Sequence, residues 1–281
     1  TPYLVISYPF FAGIFESMRA TFPNEFICFA KELADAARAV TLKHFRNLRS
    51  IQYKLDGSPV TEADHEAEAM IRQMITERYP THGVFGEEHG PTSTAGPWSW
   101  VIDPIDGTHN FAKGSDNFAV IIALVVSGQT LAGWIYEPVS KKIARGELGS
   151  GVYVDNNKVT LVNSINENKH DGIAASYLFD LLRQDRVHVG ELNRPNCAGH
   201  EYIQLLESNI SFTAYTRLRP WDHVAGSFLI VESGGTSALV DNNEYNSTIN
   251  HGNLLSALNE PTFALLERTF IILATIVSLL S

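Results

Sequence analysis

In WVIDPIDGTHNF, residues 100–111, two carboxylates stand three positions apart at the end of an apolar run. Trp100, Val101 and Ile102 read as a short buried strand, and Asp103 and Asp106 then bracket Pro104 and Ile105. Proline brings its own φ and Asp-Gly tolerates tight geometry, so a turn with incidental acids accounts for the stretch. A pair of acids aimed at a metal ion is the second reading, and the stretch alone leaves both open.

Further acids occur in comparable settings. Glu87 and Glu88 follow the short run Val84-Phe85-Gly86, and Asp222 follows Pro220-Trp221 at the start of a helical pattern. An acid there also suits the helix dipole. Asp64 belongs to a helix whose apolar arc is Ala63, Ala67, Met70, Ile71, Met74 and Ile75. It falls beside that arc, about 60° from its centre, whereas Glu62, Glu66 and Arg72 point well away. A carboxylate at a core edge is costly unless paired or metal-bound. Thr61-x-x-Asp64 also resembles a capping box, so capping and metal binding both stand for Asp64.

Glu87, Asp103, Asp106 and Asp222 each sit where an apolar element meets a loop. A set of carboxylates with no histidine or thiol partner suits a hard, oxygen-seeking cation such as Mg²⁺ rather than zinc. Gly107 and Thr108 place backbone amides and a hydroxyl directly after two of these acids, a ready anion site. Carboxylates for Mg²⁺ beside amides for a phosphate describe a centre for phosphoryl transfer or phosphoester hydrolysis.

The elements that must position these groups are legible in outline. Phe26, Ala30, Leu33, Ala37 and Val40 recur at helical spacing from Asn24, the expected N-cap, to about Asn47. A short strand at 51–54, a turn at Asp56-Gly57-Ser58-Pro59 and a helix over 61–79 follow. Runs at 118–126 and 130–137 around Ser127-Gly128-Gln129 predict a hairpin. After residue 165 strands near 172–176, 210–215 and 236–240 alternate with helices near 200–208 and 222–233. The pattern is an α+β half with an antiparallel sheet, then an α/β half. The expected organisation is an apolar N-terminal extension (1–24), the α+β half with most of the acids (25–165), the α/β half (166–262) and an apolar C-terminal tail (263–281).

The chain has 281 residues, 44% of them hydrophobic, which is enough for a substantial core. Its 21 basic against 31 acidic residues give a net charge of −10. That disfavours a nucleic-acid or anionic-membrane surface as partner. Cys28 and Cys197 form no C-x-x-C pair, so two free thiols in a reducing, cytoplasmic setting are expected. His65-Glu66 and His200-Glu201 lack the second histidine of a zinc helix. Residues 1–15 are apolar without a basic leader region, and 270–281 are too few to span a bilayer, so no membrane association is expected.

In order, DGSPVTEAD (56–64), GEE (86–88), WVIDPIDGT (100–108) and PWDHVAGSFLIVESGG (220–235) resemble the inositol monophosphatase family of Mg²⁺-dependent, lithium-sensitive phosphomonoesterases. The resemblance covers about residues 25 to 260. It implies an α+β fold, the layered α-β-α-β-α sandwich of the inositol monophosphatase and fructose-1,6-bisphosphatase type, and a homodimer. It implies that Glu87, Asp103, the carbonyl of Ile105 and Asp106 hold one Mg²⁺ and that Asp103, Asp106 and Asp222 hold a second. A third ion would reach Glu87 through water. Asp64 would pair with Thr108 and, with Glu87, prepare the attacking water, while the amides of Gly107 and Thr108 hold the phosphate. Lys54 would lie near the ions.

The substrate implied is a small-molecule phosphomonoester, a polyol or sugar monophosphate. Animal inositol enzymes place a glutamate on the inositol hydroxyls where this chain has Tyr215, which argues against strict inositol specificity. Cys197 and Ala198 are candidates for the alcohol side. Arg217 and Arg219 either add charge there or lie at the surface. Histidinol-phosphate phosphatase and 3′(2′),5′-bisphosphate nucleotidase are alternatives on the same fold, and a non-catalytic binding protein is a further one.

Overall fold

The computed structural model describes residues 22–280, apart from 49, 93, 95, 162–169, 176–177, 181, 183–188, 192–193 and 241–242, together with 13 and 16–18. The apolar stretch 1–15, except residue 13, and the expected boundary at 165 lie outside the described residues.

Helix α1 (Asn24–His44) and helix α2 (Glu62–Arg78) flank a small hairpin of β1 (Ile51–Tyr53) and β2 (Pro59–Thr61). Pro23, not Asn24, occupies the N-cap of α1, and no side chain caps that end. An eight-stranded sheet follows in the order β10-β9-β8-β7-β6-β5-β3-β4. Its members are β3 (Gly83–Gly86), β4 (Gly90–Pro91), β5 (Trp98–Asp106), β6 (Ala119–Val126), β7 (Gln129–Tyr136), β8 (Ile143–Glu147), β9 (Gly151–Val154) and β10 (Asn157–Val159). All its pairings are antiparallel except β3 with β5, and the expected β6–β7 hairpin is present.

The second sheet, in the order β12-β11-β13-β15-β14, contains β11 (His170–Ile173), β12 (Val189–Glu191), β13 (Phe212–Tyr215), β14 (Thr236–Leu239) and β15 (Leu254–Ala257). Helices α4 (Ala198–Leu206) and α5 (Pro220–Glu232) precede β13 and β14, and α6 (Glu260–Leu280) ends the chain. A short helix α3 (Thr108–Ala112) follows β5.

Side-chain alternation along the strands decides the layering. Trp100, Ile102, Val120, Ile122 and Trp134 face α1 and α2, where they meet Phe26, Phe29, Leu33, Ile71 and Ile75. Val101, Ile121, Ala123 and Ile135 project the other way, onto Tyr202 and Ile203 of α4 and Val224 and Leu229 of α5. Tyr215 and Leu254 of the second sheet close that layer. Phe212, Ala214 and Leu255, one residue out of phase, pack on Phe263, Leu266 and Phe270 of α6. The result is the expected α-β-α-β-α sandwich. Among the described residues, no helix is long and apolar enough to cross a membrane.

Candidate active site

The strand predicted to stop at Asp103 continues to Asp106. Asp103 pairs with Ile121 and Asp106 with Ala119, so three steps on β5 oppose two on β6. One residue is therefore extra, a bulge at Pro104-Ile105 where proline's missing N–H breaks the ladder at no cost. The consequence is chemical. In a regular strand residues three apart face opposite sides, but the extra residue returns Asp106 to the side of Asp103. Both acids then share the face of Ile121 and Ala119, which looks onto α4 and α5.

The other acids arrive from neighbouring elements. Glu87 follows β3, whose last residue, Gly86, pairs with Ile102 beside Asp103. Asp222 sits in the first turn of α5, which opens with Pro220 at its first position. Trp221 packs edge-on against Phe85, with centroids 5.4 Å apart, and so ties that turn to β3. One carboxylate oxygen from each of Glu87, Asp103 and Asp222 lies within 4.8 Å of the others.

Asp106 is held differently. Its Oδ2 accepts from the Gly199 amide at 2.6 Å and from the Cys197 thiol at 3.1 Å, both at the start of α4. The thiol is therefore directed at Asp106 and buried, not open to an alcohol. Ala198, also buried, supplies another backbone contact to Asp106.

Electrostatics fit a cation. Burial, then the charges of Glu87, Asp106 and Asp222, push Asp103 well above the ordinary carboxylate range. Burial, Asp106 and Glu87 do the same to Asp222. Asp106 rises only to about 6, because the Gly199 amide and Cys197 thiol offset its burial. Mutually repelling buried acids with oxygen donors alone are a donor set for a hard divalent cation, which would return them to the charged form. The residues present thus fit Mg²⁺.

Two cations flank Glu87. Lys54 Nζ lies 2.9 Å from Glu87 Oε1 and 2.8 Å from Glu88 Oε1. Burial opposes the charge of Lys54, but these acids outweigh it and its pKa is raised. Burial lifts Glu88 to about 7 despite that lysine. Arg219 Nη1 donates to the same Glu87 oxygen at 2.9 Å, and Nη2 donates to Asp56 in the β1–β2 turn. Arg219 is thus part of the site. Arg217, whose side chain is 69% exposed, only approaches Asp56 at 3.5 Å.

Of the two roles left open for Asp64, capping is present, and its second oxygen turns to Thr108, the partner that the resemblance implies. Its Oδ2 accepts from the Thr61 amide at 2.8 Å and hydroxyl at 2.6 Å, completing a capping box on α2. Its Oδ1 lies 3.1 Å from Thr108 Oγ1, which is also 3.0 Å from the Ile105 carbonyl. Burial raises the pKa of Asp64, and the Thr61 and Thr108 hydrogen bonds partly counter it. Gly107, with φ 86°, is the left-handed N-cap of α3. A β-carbon there would meet the carbonyl of Asn117 and the side chain of Cys197 at 3.1 Å, so glycine is required twice over.

Tyr215 is buried with its ring 4.3 Å from His223, and burial followed by the charge of Glu201 pushes its hydroxyl pKa well up. Glu201, buried on α4, lies 3.5 Å from Arg194. No sequence motif pointed to Glu201 beside Tyr215, or to Asn110, whose Nδ2 donates to the Pro195 carbonyl at 2.5 Å.

The inositol monophosphatase family model matches residues 23–270. A histidinol-phosphatase of Chlorobaculum parvum is 35% identical over 217 residues, covering 73% of this chain and 82% of that protein. A fructose-1,6-bisphosphatase/inositol-1-monophosphatase of Aquifex aeolicus is 29% identical over 224 residues, covering 75% and 84%. The solved structure of an IMPase from Thermotoga maritima, 22% identical, shares the fold at a TM-score of 0.78 over 90% of this chain and 99% of that one. The chain belongs to the inositol monophosphatase family and is a phosphoric monoester hydrolase.

Proposed function

We propose that the chain hydrolyses a small polyol or sugar monophosphate with the help of Mg²⁺ held by Glu87, Asp103, Asp106, Asp222 and the Ile105 carbonyl. The observation carrying this reading is the convergence of Glu87, Asp103 and Asp222 beside the Thr108–Asp64 pair. Bound there, two or three divalent ions supply Lewis acidity toward a phosphoryl oxygen and lower the pKa of a coordinated water.

The chain's own residues supply the rest. Asp64 Oδ2 is occupied by Thr61, so only Oδ1 is free to serve Thr108. The Thr108 hydroxyl can give its proton to Asp64 while accepting one from the attacking water, a relay of general-base type. Burial, which makes Asp64 a stronger base than an exposed aspartate, suits it to that task. The amides of Gly107 and Thr108 hold the phosphate, and the bulge keeps them next to the acids. Arg219 and Lys54 fix Glu87, and the second also fixes Glu88.

A second reading, histidinol phosphate as substrate, is favoured by the name of the Chlorobaculum parvum relative and by Tyr215, with the buried acid Glu201 beside it. A homodimer in a cytoplasmic setting and inhibition by Li⁺ complete the proposal. Phosphate release from inositol, sugar, glycerol and histidinol monophosphates, with Mg²⁺ and with added Li⁺, tests it. Turnover of several polyol phosphates supports the first reading; turnover of histidinol phosphate alone selects the second. No Mg²⁺-dependent release from any of them contradicts both.

A further inference from the structure

Glu68 is fully buried on α2, one turn beyond Asp64, and its hydrogen bonds go to Arg72, Glu88 and His89 rather than to the groups assigned to ions or phosphate. Its carboxylate nevertheless takes up four donors. Oε2 accepts from the Glu88 amide at 2.7 Å, and Oε1 from the His89 amide at 3.0 Å. His89 Nδ1 lies 3.1 Å from Oε1, and Arg72 Nε donates to it at 2.7 Å. Arg72 leaves the helix away from the apolar arc, as its position predicts, but its length carries the guanidinium back. Nη1 donates to Thr92 Oγ1 at 2.8 Å and Nη2 donates to the Gly90 carbonyl. The turn 87–90 is therefore clasped by one buried carboxylate and the arginine paired with it.

Gly86 explains how the carboxylate gets in. A β-carbon at that position would stand 2.4 Å from Glu68 Oε1, so the first residue of Gly-Glu-Glu is the space that Glu68 fills. An unpaired buried carboxylate would be expensive, whereas one accepting two amides and a guanidinium is stabilised and stiff. Asp64 and Glu68, four apart, lie on one side of the same rigid helix. One carboxylate sets Thr108 and the other sets the turn from which Glu87 projects.

We infer that Glu68 is a positioning residue for the divalent-cation site, which fixes the backbone of Glu87 relative to Asp103 and Asp222 without touching the ion. This rests on the reading that Glu87 is a cation ligand. Partners that orient ligands in this way change metal affinity about tenfold to a hundredfold when altered. Glu68→Gln keeps the volume but replaces one acceptor oxygen by an NH₂ group, which in one orientation faces His89 and Arg72 and in the other the Glu88 amide, donors from which it cannot accept.

The test is calorimetric titration of the full chain with Mg²⁺ alone, alongside thermal unfolding. Glu68→Gln is expected to weaken Mg²⁺ binding about tenfold or more, with the KM for a turned-over phosphomonoester at saturating Mg²⁺ unchanged. Glu66→Gln, on the exposed side of α2 against Lys43 and His44, should bind Mg²⁺ as the wild type does. Should Glu68→Gln fail to fold, Arg72→Met removes part of the clasp from a partly exposed position and is expected to weaken Mg²⁺ in the same direction. Wild-type Mg²⁺ affinity in whichever of these variants folds overturns the inference. Glu87→Gln separates the two claims: if it too binds Mg²⁺ normally, the ligand reading fails, and if it alone is weakened, only the role of Glu68 does.

Discussion

The Thr108 hydroxyl lies 3.1 Å from Asp64 Oδ1 across 44 residues of sequence, joining the first turn of α2 to the first residue of α3. Because Thr61 occupies the other oxygen, this carboxylate is a helix cap that also meets Thr108, and the proposed proton path ends on it. Replacing Thr108 by alanine should lower kcat about 10²- to 10⁴-fold, the usual range for losing general acid–base assistance. Thr108→Ser, which keeps the hydroxyl, should retain most activity. Steady-state rates at saturating Mg²⁺ check this, and full activity in Thr108→Ala would remove Thr108 from the reaction.

Cys197 predicts a different pattern. Its thiol donates to Asp106, and burial together with the charge of Asp106 pushes its pKa well up, so it stays protonated and unreactive. Cys197→Ser should preserve the Mg²⁺ requirement, while Cys197→Ala should raise half-saturation about tenfold. In the native protein iodoacetamide should modify the exposed Cys28 and spare Cys197, which peptide mass mapping would show.

The packing of α4 on α5 depends on Gly226. A β-carbon there would stand 2.1 Å from the ring of Tyr202, which is fully buried. Gly226→Ala should destabilise the protein by about 1–3 kcal/mol or more, the cost of overpacking a filled core. Urea unfolding measures it. An unchanged midpoint would mean that the helices separate without strain.

Acid should weaken the fold through His82. Its ring stacks between Tyr79 and Trp98, and its Nδ1 accepts from the Trp100 indole at 3.1 Å. Burial holds its pKa below 6.5, so the unfolded chain binds the proton more readily than the folded one. Stability from this group is complete above pH 6.5 and is lost as pH falls toward the folded value. Unfolding midpoints between pH 7.5 and 5 should therefore fall more steeply in wild type than in His82→Gln; parallel slopes would exclude His82 as the cause.

The acids that punctuate apolar runs were legible in the chain, since Glu87, Asp103, Asp106 and Asp222 are local to motifs that name their own elements. The strand order behind them was not, and neither was the bulge that turns Asp106 back to the side of Asp103. Proline at 104 signalled a turn, and only pairing with β6 shows an interrupted strand. Arg219 was ambiguous because its partner Glu87 is 132 positions away. Glu68 carries no such mark, because two of its four partners are backbone amides, which no side-chain pattern records.

The central claim is that the buried acids hold divalent cations for phosphomonoester hydrolysis. Phosphate release measured while Mg²⁺ is titrated into chelator-treated wild type and Asp103→Asn tests it most directly. The account predicts no turnover without Mg²⁺, saturable turnover with it, and a loss of about three orders of magnitude in the variant, as several kcal/mol of transition-state stabilisation would require. Undiminished turnover in chelator, or by Asp103→Asn at the same Mg²⁺ concentration, would contradict it.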